Sequence, residues 1–337
     1  MRLLFIKLSS MGDVLQALAA ISDATEHRED LEIDWVVDEH FQEIPLLHPK
    51  VSSVIITNHR TWRKKPFSSS KEIFTFIRKL RKKRYDLIID AQGNWKSALI
   101  TLFSKGLKVG LDRFSVREYI AHFAYSIKHS VSKKQHAVEH LRELLAKALG
   151  YEKPKTPPNF GIQIPSPTLN RDLQLPEEYY VCIHAASWDT KLWPESSFSD
   201  LIKQLDAPVL LFWGSKKEKL RAEKIGKHLP HVYILPKRSL SQITLILAKA
   251  KAVISVDTGL GHLSAALGVP TVGLHGPTDP KRIGSLGPKT RHLYPSVPCF
   301  PCHKNRCYYQ GTYQKSPYCF QQISPDHVLM ALEELLS

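Results

Sequence analysis

The sequence predicts an α/β chain of two domains, each a parallel sheet covered by helices. Three observations predict it. Short apolar runs alternate with helical patterns along most of the 337 residues. A stretch at 153–176 holds six prolines and no periodicity, and splits that alternation in two. The first apolar run, 3–8, passes through Ser9-Ser10-Met11-Gly12-Asp13 into a helical pattern, the opening of a Rossmann-like domain. The expected organisation is therefore a first domain at 1–152, a linker at 153–176 and a second domain at 177–324. A C-terminal helix at 325–337 is expected to pack back across the linker.

In the first domain the apolar runs 3–8, 33–37, 53–57 and 85–90 read as strands, and 14–23, 73–83 and 137–149 as helices. In the second, strands are expected at 179–184, 209–213, 232–235, 252–256 and 271–274. Helices are expected at 197–205, 218–228, 241–249, 261–267 and 325–336. Ligands of open α/β sheets bind beyond the carboxyl ends of the strands, and two such domains would face each other across a cleft.

Composition bounds the partners. Apolar residues make up 43% and charged residues 23%, enough for two packed cores. No apolar run reaches the roughly 18 residues a membrane span needs. Lys7 and Asp13 interrupt the N-terminal apolar run too early for a signal peptide, so a cytoplasmic protein is expected. The net charge of +15 points to nucleic acid, anionic lipid or a phosphorylated substrate. With five cysteines and no secretory signal, a disulfide framework is not expected.

Chemistry concentrates where strands end. In 253–280 an apolar strand runs into Asp257-Thr258-Gly259-Leu260-Gly261-His262 before a helix. The glycines allow close backbone approach, and the helix start favours an anion such as a diphosphate, although a plain capped turn fits the same residues. In 184–194 Lys191 follows another strand, either as a solvated loop lysine or as a cation for a leaving-group phosphate. Asp13, after the first strand, suits a general base or a first-turn acid held by the helix dipole. No Gly-x-x-x-x-Gly-Lys-Ser/Thr loop exists, which disfavours a P-loop nucleotidase. From 60 to 84 there are eleven Lys/Arg and one acid, Glu72, with Trp62 and Phe67 interleaved. Cys299, Cys302, Cys307 and Cys319 follow C-x2-C-x4-C-x11-C, either reduced thiols or a structural zinc site with His303 as a substitute ligand.

The blocks KLSSMGDVLQALAAISD, AQGNWKSAL, KLWPE, WGSKKE and SVDTGLGHLSAALGVPTVGLHGPTDP occur in this order and span nearly the whole chain. Together they resemble the ADP-heptose–lipopolysaccharide heptosyltransferases, and within that family the members that add the first heptose to the Kdo sugars of lipid A. The resemblance implies the GT-B fold, two Rossmann-like domains facing across a cleft, and transfer that needs no cofactor. Asp13 matches the family's base, and Lys191 the lysine that supports the donor phosphates. Asp257, Thr258, Gly259 and His262 match the donor-binding turn, Glu218 a ribose contact, and Ser187 a threonine. Ala186 replaces a second threonine, and Arg238 stands where a methionine packs near the adenine. Arg60, Arg63, Lys64, Lys96, Arg117 and Arg142 match the acceptor site, where Kdo carboxylates and lipid A phosphates suit arginine's planar donors. The implied partners are ADP-heptose, Kdo2-lipid A and the cytoplasmic face of the inner membrane, not nucleic acid. A heptosyltransferase acting later in the core and a GT-B sugar epimerase remain the rival activities.

Overall fold

The computed structural model describes residues 1–65, 67–170, 174–309, 312–314 and 317–337. The chain divides into two compact units, Met1–Gln163 and Ile164–Ser337.

The N-terminal unit is a six-stranded, wholly parallel sheet. Its strands are β1 (Arg2–Ile6), β2 (Glu32–Asp38), β3 (Val51–Thr57), β4 (Leu87–Asp90), β5 (Leu107–Leu111) and β6 (Ile127–His129), in spatial order β3-β2-β1-β4-β5-β6. Strand order reverses between β1 and β4, so a crevice opens beyond the carboxyl ends of those two strands. β1 reads as an unbroken apolar run because helices cover both faces, and Leu3, Leu4, Phe5 and Ile6 are all fully buried. Phe5 meets Trp35 edge to face, with ring centroids 4.6 Å apart.

The helices of this unit are α1 (Met11–His27), α2 (His59–Lys64), α3 (Ser70–Lys82), α4 (Trp95–Phe103) and α5 (Ala137–Leu149). α3 lays Phe76 and Leu80 on the sheet and turns its cations outward. Trp62 of α2 donates to Glu72 at 3.0 Å and packs on Phe76, so this aromatic of the basic segment pins α2 to α3. α5 ends where the sequence predicts, because Gly150 takes the left-handed cap at φ 77°.

The C-terminal unit repeats the plan. Its strands are β7 (Tyr180–Ile183), β8 (Val209–Leu211), β9 (Val232–Ile234), β10 (Ala252–Val256), β11 (Thr271–Leu274) and β12 (Thr290–Leu293), ordered β12-β11-β10-β7-β8-β9. Counted from β7, this is the order of the first sheet, with its reversal between β7 and β10. The helices are α6 (Glu195–Ile202), α7 (Lys216–Ile225), α8 (Leu240–Ala248), α9 (Gly259–Ala266), α10 (Pro280–Ile283) and α11 (Pro325–Leu336). A hairpin of β13 (Cys307–Tyr309) and β14 (Thr312–Gln314) follows β12.

Two expectations about the linker are corrected. Residues 153–163 belong to the N-terminal unit. Lys153 pairs with Glu139 at 2.6 Å, Phe160 is buried, and the Gln163 amide donates to the Leu47 carbonyl at 2.8 Å. Gly161, at φ +58°, passes so close to His48 that an added Cβ would sit 2.5 Å from the ring. α11, in turn, packs on α6, β11 and β12, with Val328, Ala331 and Leu332 in the core of the C-terminal unit. An amphipathic helix follows its apolar stripe, and here that stripe finds its partners beside its own sheet.

Candidate functional site

At the reversal point of the first sheet, the loop after β1 is held in place by β4. Gln92 Oε1 accepts from the amides of Leu8 at 2.9 Å and Ser9 at 3.1 Å. Behind it, the buried Asp90 accepts from the Gln92 amide, the Gly93 amide and the Tyr125 hydroxyl. That scaffold presents Asp13 in the first turn of α1, where its Oδ2 accepts from the Ser10 amide at 2.7 Å and the Ser10 hydroxyl at 2.8 Å. Burial pushes the Asp13 carboxyl upward. Lys7, the Ser10 hydrogen bonds and Arg117 outweigh it and hold the acid below its ordinary range. Asp13 is therefore an ionised carboxylate at neutral pH, the form a proton acceptor must have. Lys7 is itself buried, donates to the Ala91 carbonyl at 3.1 Å, and has its pKa lowered chiefly by desolvation.

Beside it, beyond β2 and β3, lies a group that sequence reasoning missed. Asp38 ends β2 fully buried. Its Oδ1 lies 2.8 Å from His40 Nδ1. Its Oδ2 faces His59 Nδ1 at 3.3 Å and Arg60 Nε at 3.4 Å. Among the described residues, Asp38 Oδ2, Thr57 Oγ1, Asn58 Oδ1 and His59 Nδ1 are buried without a hydrogen-bond partner. Asp38 Oδ2 and His59 Nδ1 face each other at ion-pair distance, which leaves Thr57 Oγ1 and Asn58 Oδ1 costly unless a ligand or solvent meets them. Burial lowers the His59 pKa. Asp38 opposes that shift, and Lys96, Arg60 and Arg63 add to it, so these three cations share one neighbourhood. The strand-end rule could have found Asp38, the last residue of an apolar strand.

The six expected acceptor contacts thus separate. Arg60, Arg63 and Lys96 gather around His59, Arg117 lies near Asp13 and Lys7, and Lys64 is exposed at the end of α2. Arg142 is corrected. It is 1% exposed, with Nε 2.6 Å and Nη2 3.2 Å from the Asp23 carboxylate, and Nη1 donating to Glu139 and the Thr156 carbonyl. Its guanidinium ties α1, α5 and the start of the former linker together, because a buried cation must be surrounded by acceptors.

At the reversal point of the second sheet, Asp257 follows β10 and Lys191 lies in the loop after β7. Lys191 Nζ is 2.7 Å from Asp257 Oδ2, and the Thr278 hydroxyl donates to the same oxygen at 2.7 Å. His262 Nε2 lies 3.9 Å from Oδ1. Burial raises the Asp257 pKa, but Lys191, His275 and His262 more than reverse that and bring it down to about 2. Lys191 also lies over the Trp188 ring, 5.0 Å from its centroid. The Asp257 carboxylate thus holds the Lys191 ammonium in place. Thr258 is the N-cap of α9 but makes no side-chain capping bond, so it leaves the amides of Gly259 and Leu260 uncapped at the helix head. Gly261 is there for space, because a Cβ would sit 2.5 Å from Ser255 Oγ.

In the same unit an open groove of about 810 Å³ is lined by Ala186, Trp193, Glu218, Leu220 and Arg221, among others. Lys191, Asp257 and Thr258 are not in its lining. Glu218 Oε2 accepts from the amides of Gly214 at 2.6 Å and Ser215 at 3.1 Å, closing a capping box on α7. Ser187 is exposed in the β7–α6 loop, and Arg238 is half-buried ahead of α8.

The four cysteines of the C-terminal stretch lie near one another, as the mutual influence of their thiols shows. Among the described residues, no group of three or more His, Cys, Asp or Glu is arranged to hold a metal ion. Cys307 lies in β13, while Cys319 sits in a short 3₁₀ turn against the hydrophobic core. Burial, and then its neighbours Cys307, Cys302 and Cys299, push the Cys319 thiol up to about 12. Residues 310–311 and 315–316 of this stretch lie outside the described residues.

Residues 73–313 match the family model of glycosyltransferase family 9 (heptosyltransferase). Lipopolysaccharide heptosyltransferase 1 of Pseudomonas aeruginosa is 40% identical, over 100% of this chain and 98% of its own. The solved structure of E. coli heptosyltransferase WaaC with ADP superposes with a TM-score of 0.86 at 39% identity, covering 99% of this chain and 100% of that one. The structure of the same enzyme with ADP-2-deoxy-2-fluoro heptose gives 0.82 at 38% identity, covering 99% of each chain. With two parallel sheets of the GT-B kind, each carrying its polar residues at the reversal point, the chain belongs to glycosyltransferase family 9, the heptosyltransferases.

Proposed function

We propose that this heptosyltransferase moves L-glycero-D-manno-heptose from ADP-heptose to the Kdo region of Kdo2-lipid A, in building the lipopolysaccharide inner core. The observation that carries this is the clamped lysine. Lys191 is held by Asp257 beside the uncapped start of α9, where positive charge is ready for a departing diphosphate.

The donor lies in the C-terminal unit. Its diphosphate takes the amides at the head of α9 and the Lys191 ammonium, His262 flanks it, and Ser187 and Glu218 reach the nucleoside. The acceptor lies in the N-terminal unit, its carboxylates and phosphates on Arg60, Arg63, Lys64, Lys96 and Arg117. Asp13 takes the proton of the attacking Kdo hydroxyl. That oxygen forms the new bond to the anomeric carbon as the bond to ADP breaks on the opposite face, and the electron pair leaves on the phosphate. One displacement inverts the anomeric centre, through a transition state of oxocarbenium character. Lys191 and the helix dipole stabilise charge on the leaving group, and the protein's own groups supply what the reaction needs. Because the acceptor is a glycolipid, the enzyme works in the cytoplasm against the inner face of the inner membrane, where each basic residue near the surface adds about 1 kcal/mol.

Mass spectrometry after incubation with Kdo2-lipid A tests the reading. A single heptose-sized addition is expected with ADP-heptose, and none with other nucleotide sugars. Free heptose or an altered nucleotide sugar, with the acceptor unchanged, would point to hydrolysis or epimerisation instead.

A further inference from the structure

The N-terminal unit carries an apolar surface that its own fold does not use. α4 turns Ser97, Ala98, Ile100 and Thr101 inward and leaves Leu99, Leu102 and Phe103 exposed, an outward stripe on one face. The 3₁₀ helix at Tyr119–Ala124 packs directly against α4, and it likewise buries Ala121, His122 and Ala124 while exposing Ile120 and Phe123. Leu102 is 54% exposed, Ile120 62% and Phe123 67%. A surface helix normally shows water its polar side. Two adjoining helices that show large apolar side chains mark an interaction surface.

The charge around this surface says what it meets. Residues 95–128 hold six Lys/Arg and two acids. Both acids are occupied with the backbone. Glu118 accepts from the Trp95 amide at 2.9 Å, and Asp112 from the amides of Phe114 and Ser115. Arg113 lies over the Phe114 ring, 4.5 Å from its centroid. An apolar face in a segment where cations outnumber acids complements a bilayer surface with anionic headgroups. It also joins the acceptor site, since Lys96 is in the first turn of α4 and Arg117 lies two residues before the 3₁₀ helix.

We infer that the outer faces of α4 and of the 3₁₀ helix at 119–124 insert into an anionic lipid surface and seat the N-terminal unit on the membrane that holds its acceptor. The inference rests on the proposed glycolipid acceptor for its purpose, but its test does not.

The test is co-sedimentation of the full chain with vesicles of phosphatidylglycerol and phosphatidylethanolamine, and with vesicles of phosphatidylcholine alone. The native chain is expected to partition onto the anionic vesicles and far less onto the neutral ones. A variant with Leu102→Gln, Ile120→Gln and Phe123→Gln should lose at least about tenfold in partition, because each side chain gives up apolar burial. Its turnover with a deacylated, water-soluble Kdo acceptor should stay native, which shows that it folds. A second readout needs no triple variant. Brominated phosphatidylglycerol should quench Trp95, and the quenching should fall in Trp95→Phe. Equal partition of variant and native chain would overturn the inference, as would absent quenching of Trp95. So would a native chain that ignores vesicles but pairs with itself through this face. If vesicle binding behaves as expected while no heptose reaches any Kdo acceptor, the membrane surface stands and the proposed reaction falls.

Discussion

Two clusters at strand ends, one around Asp257 and one around Asp38, differ in how their charges are paired. Around Asp257, Lys191 and Thr278 are joined to the acid, and His275 Nε2 lies 3.1 Å from His292 Nδ1. Around Asp38, Arg60, Arg63 and Lys96 share one neighbourhood with a single buried carboxylate, so cations outnumber the acid they face. A site that stabilises charge forming on a leaving group gains from being fixed before reaction, since nothing then reorganises in the transition state. A site that captures a polyanion gains from cations in excess of the acids beside them. The difference teaches that one fold, used twice, can pair its charges closely in one unit and leave an excess of positive charge in the other.

The largest effect is expected at Asp13. Asp13→Asn keeps the hydrogen-bonding shape of the β1–α1 loop but removes the base, and turnover should fall by about 10²–10⁴-fold with the thermal melt little changed. Near-native turnover in a folded variant would remove Asp13 from the chemistry.

Next is the clamp on the opposite unit. Lys191→Ala should lower kcat by about 10²–10³-fold and leave acceptor KM close to native. If acceptor KM alone moved, the lysine would belong to the other substrate. The pair also has a pH signature. The Asp257 pKa is about 2 in the folded chain against an ordinary 3.8, so the acid's stabilising contribution is complete above about 4 and is lost as pH falls towards 2. It amounts to about 2 kcal/mol at neutral pH. In Asp257→Asn the melting temperature should fall less steeply than in the native chain between pH 4 and 2.

Arg142 sharpens the comparison from within the N-terminal unit. Arg142→Ala strands the buried Asp23 and should cost about 3–5 kcal/mol of stability, read by denaturant unfolding. Once temperature is lowered enough to keep the variant folded, acceptor KM should be near native. A selective rise in acceptor KM at native stability would return Arg142 to the acceptor site.

Much of this was legible in the sequence. Buried parallel strands such as Ala252–Val256 and Thr271–Leu274 appear as unbroken apolar runs, and the helices Ala137–Leu149 and Pro325–Leu336 carry clean periodicity with a glycine or proline at a boundary. The strands missed are short and carry polar residues. Leu107–Leu111, Ile127–His129 and Thr290–Leu293 lie towards or at the sheet margins, where burial is partial and alternation weak. α4 was missed because its apolar residues face outward, so its pattern does not read as a helix with one buried stripe. Strand-end logic placed Asp13, Lys191 and Asp257 just beyond β1, β7 and β10, where they lie, but did not show that Asp257 pairs with Lys191. Nor could spacing show that Arg142 answers Asp23, a partner 119 residues away.

The division of labour between the two units is tested most directly by the acceptor-side cations. In a variant with Arg60→Gln, Arg63→Gln and Lys64→Gln, steady-state kinetics should show acceptor KM raised about ten- to a hundredfold, while ADP-heptose KM stays within about twofold of native. The rise should shrink with an acceptor stripped of its phosphates, and at high salt, where exposed charges are screened beyond about 8 Å. Native kinetics with every acceptor, or a loss that falls on ADP-heptose instead, would contradict the account.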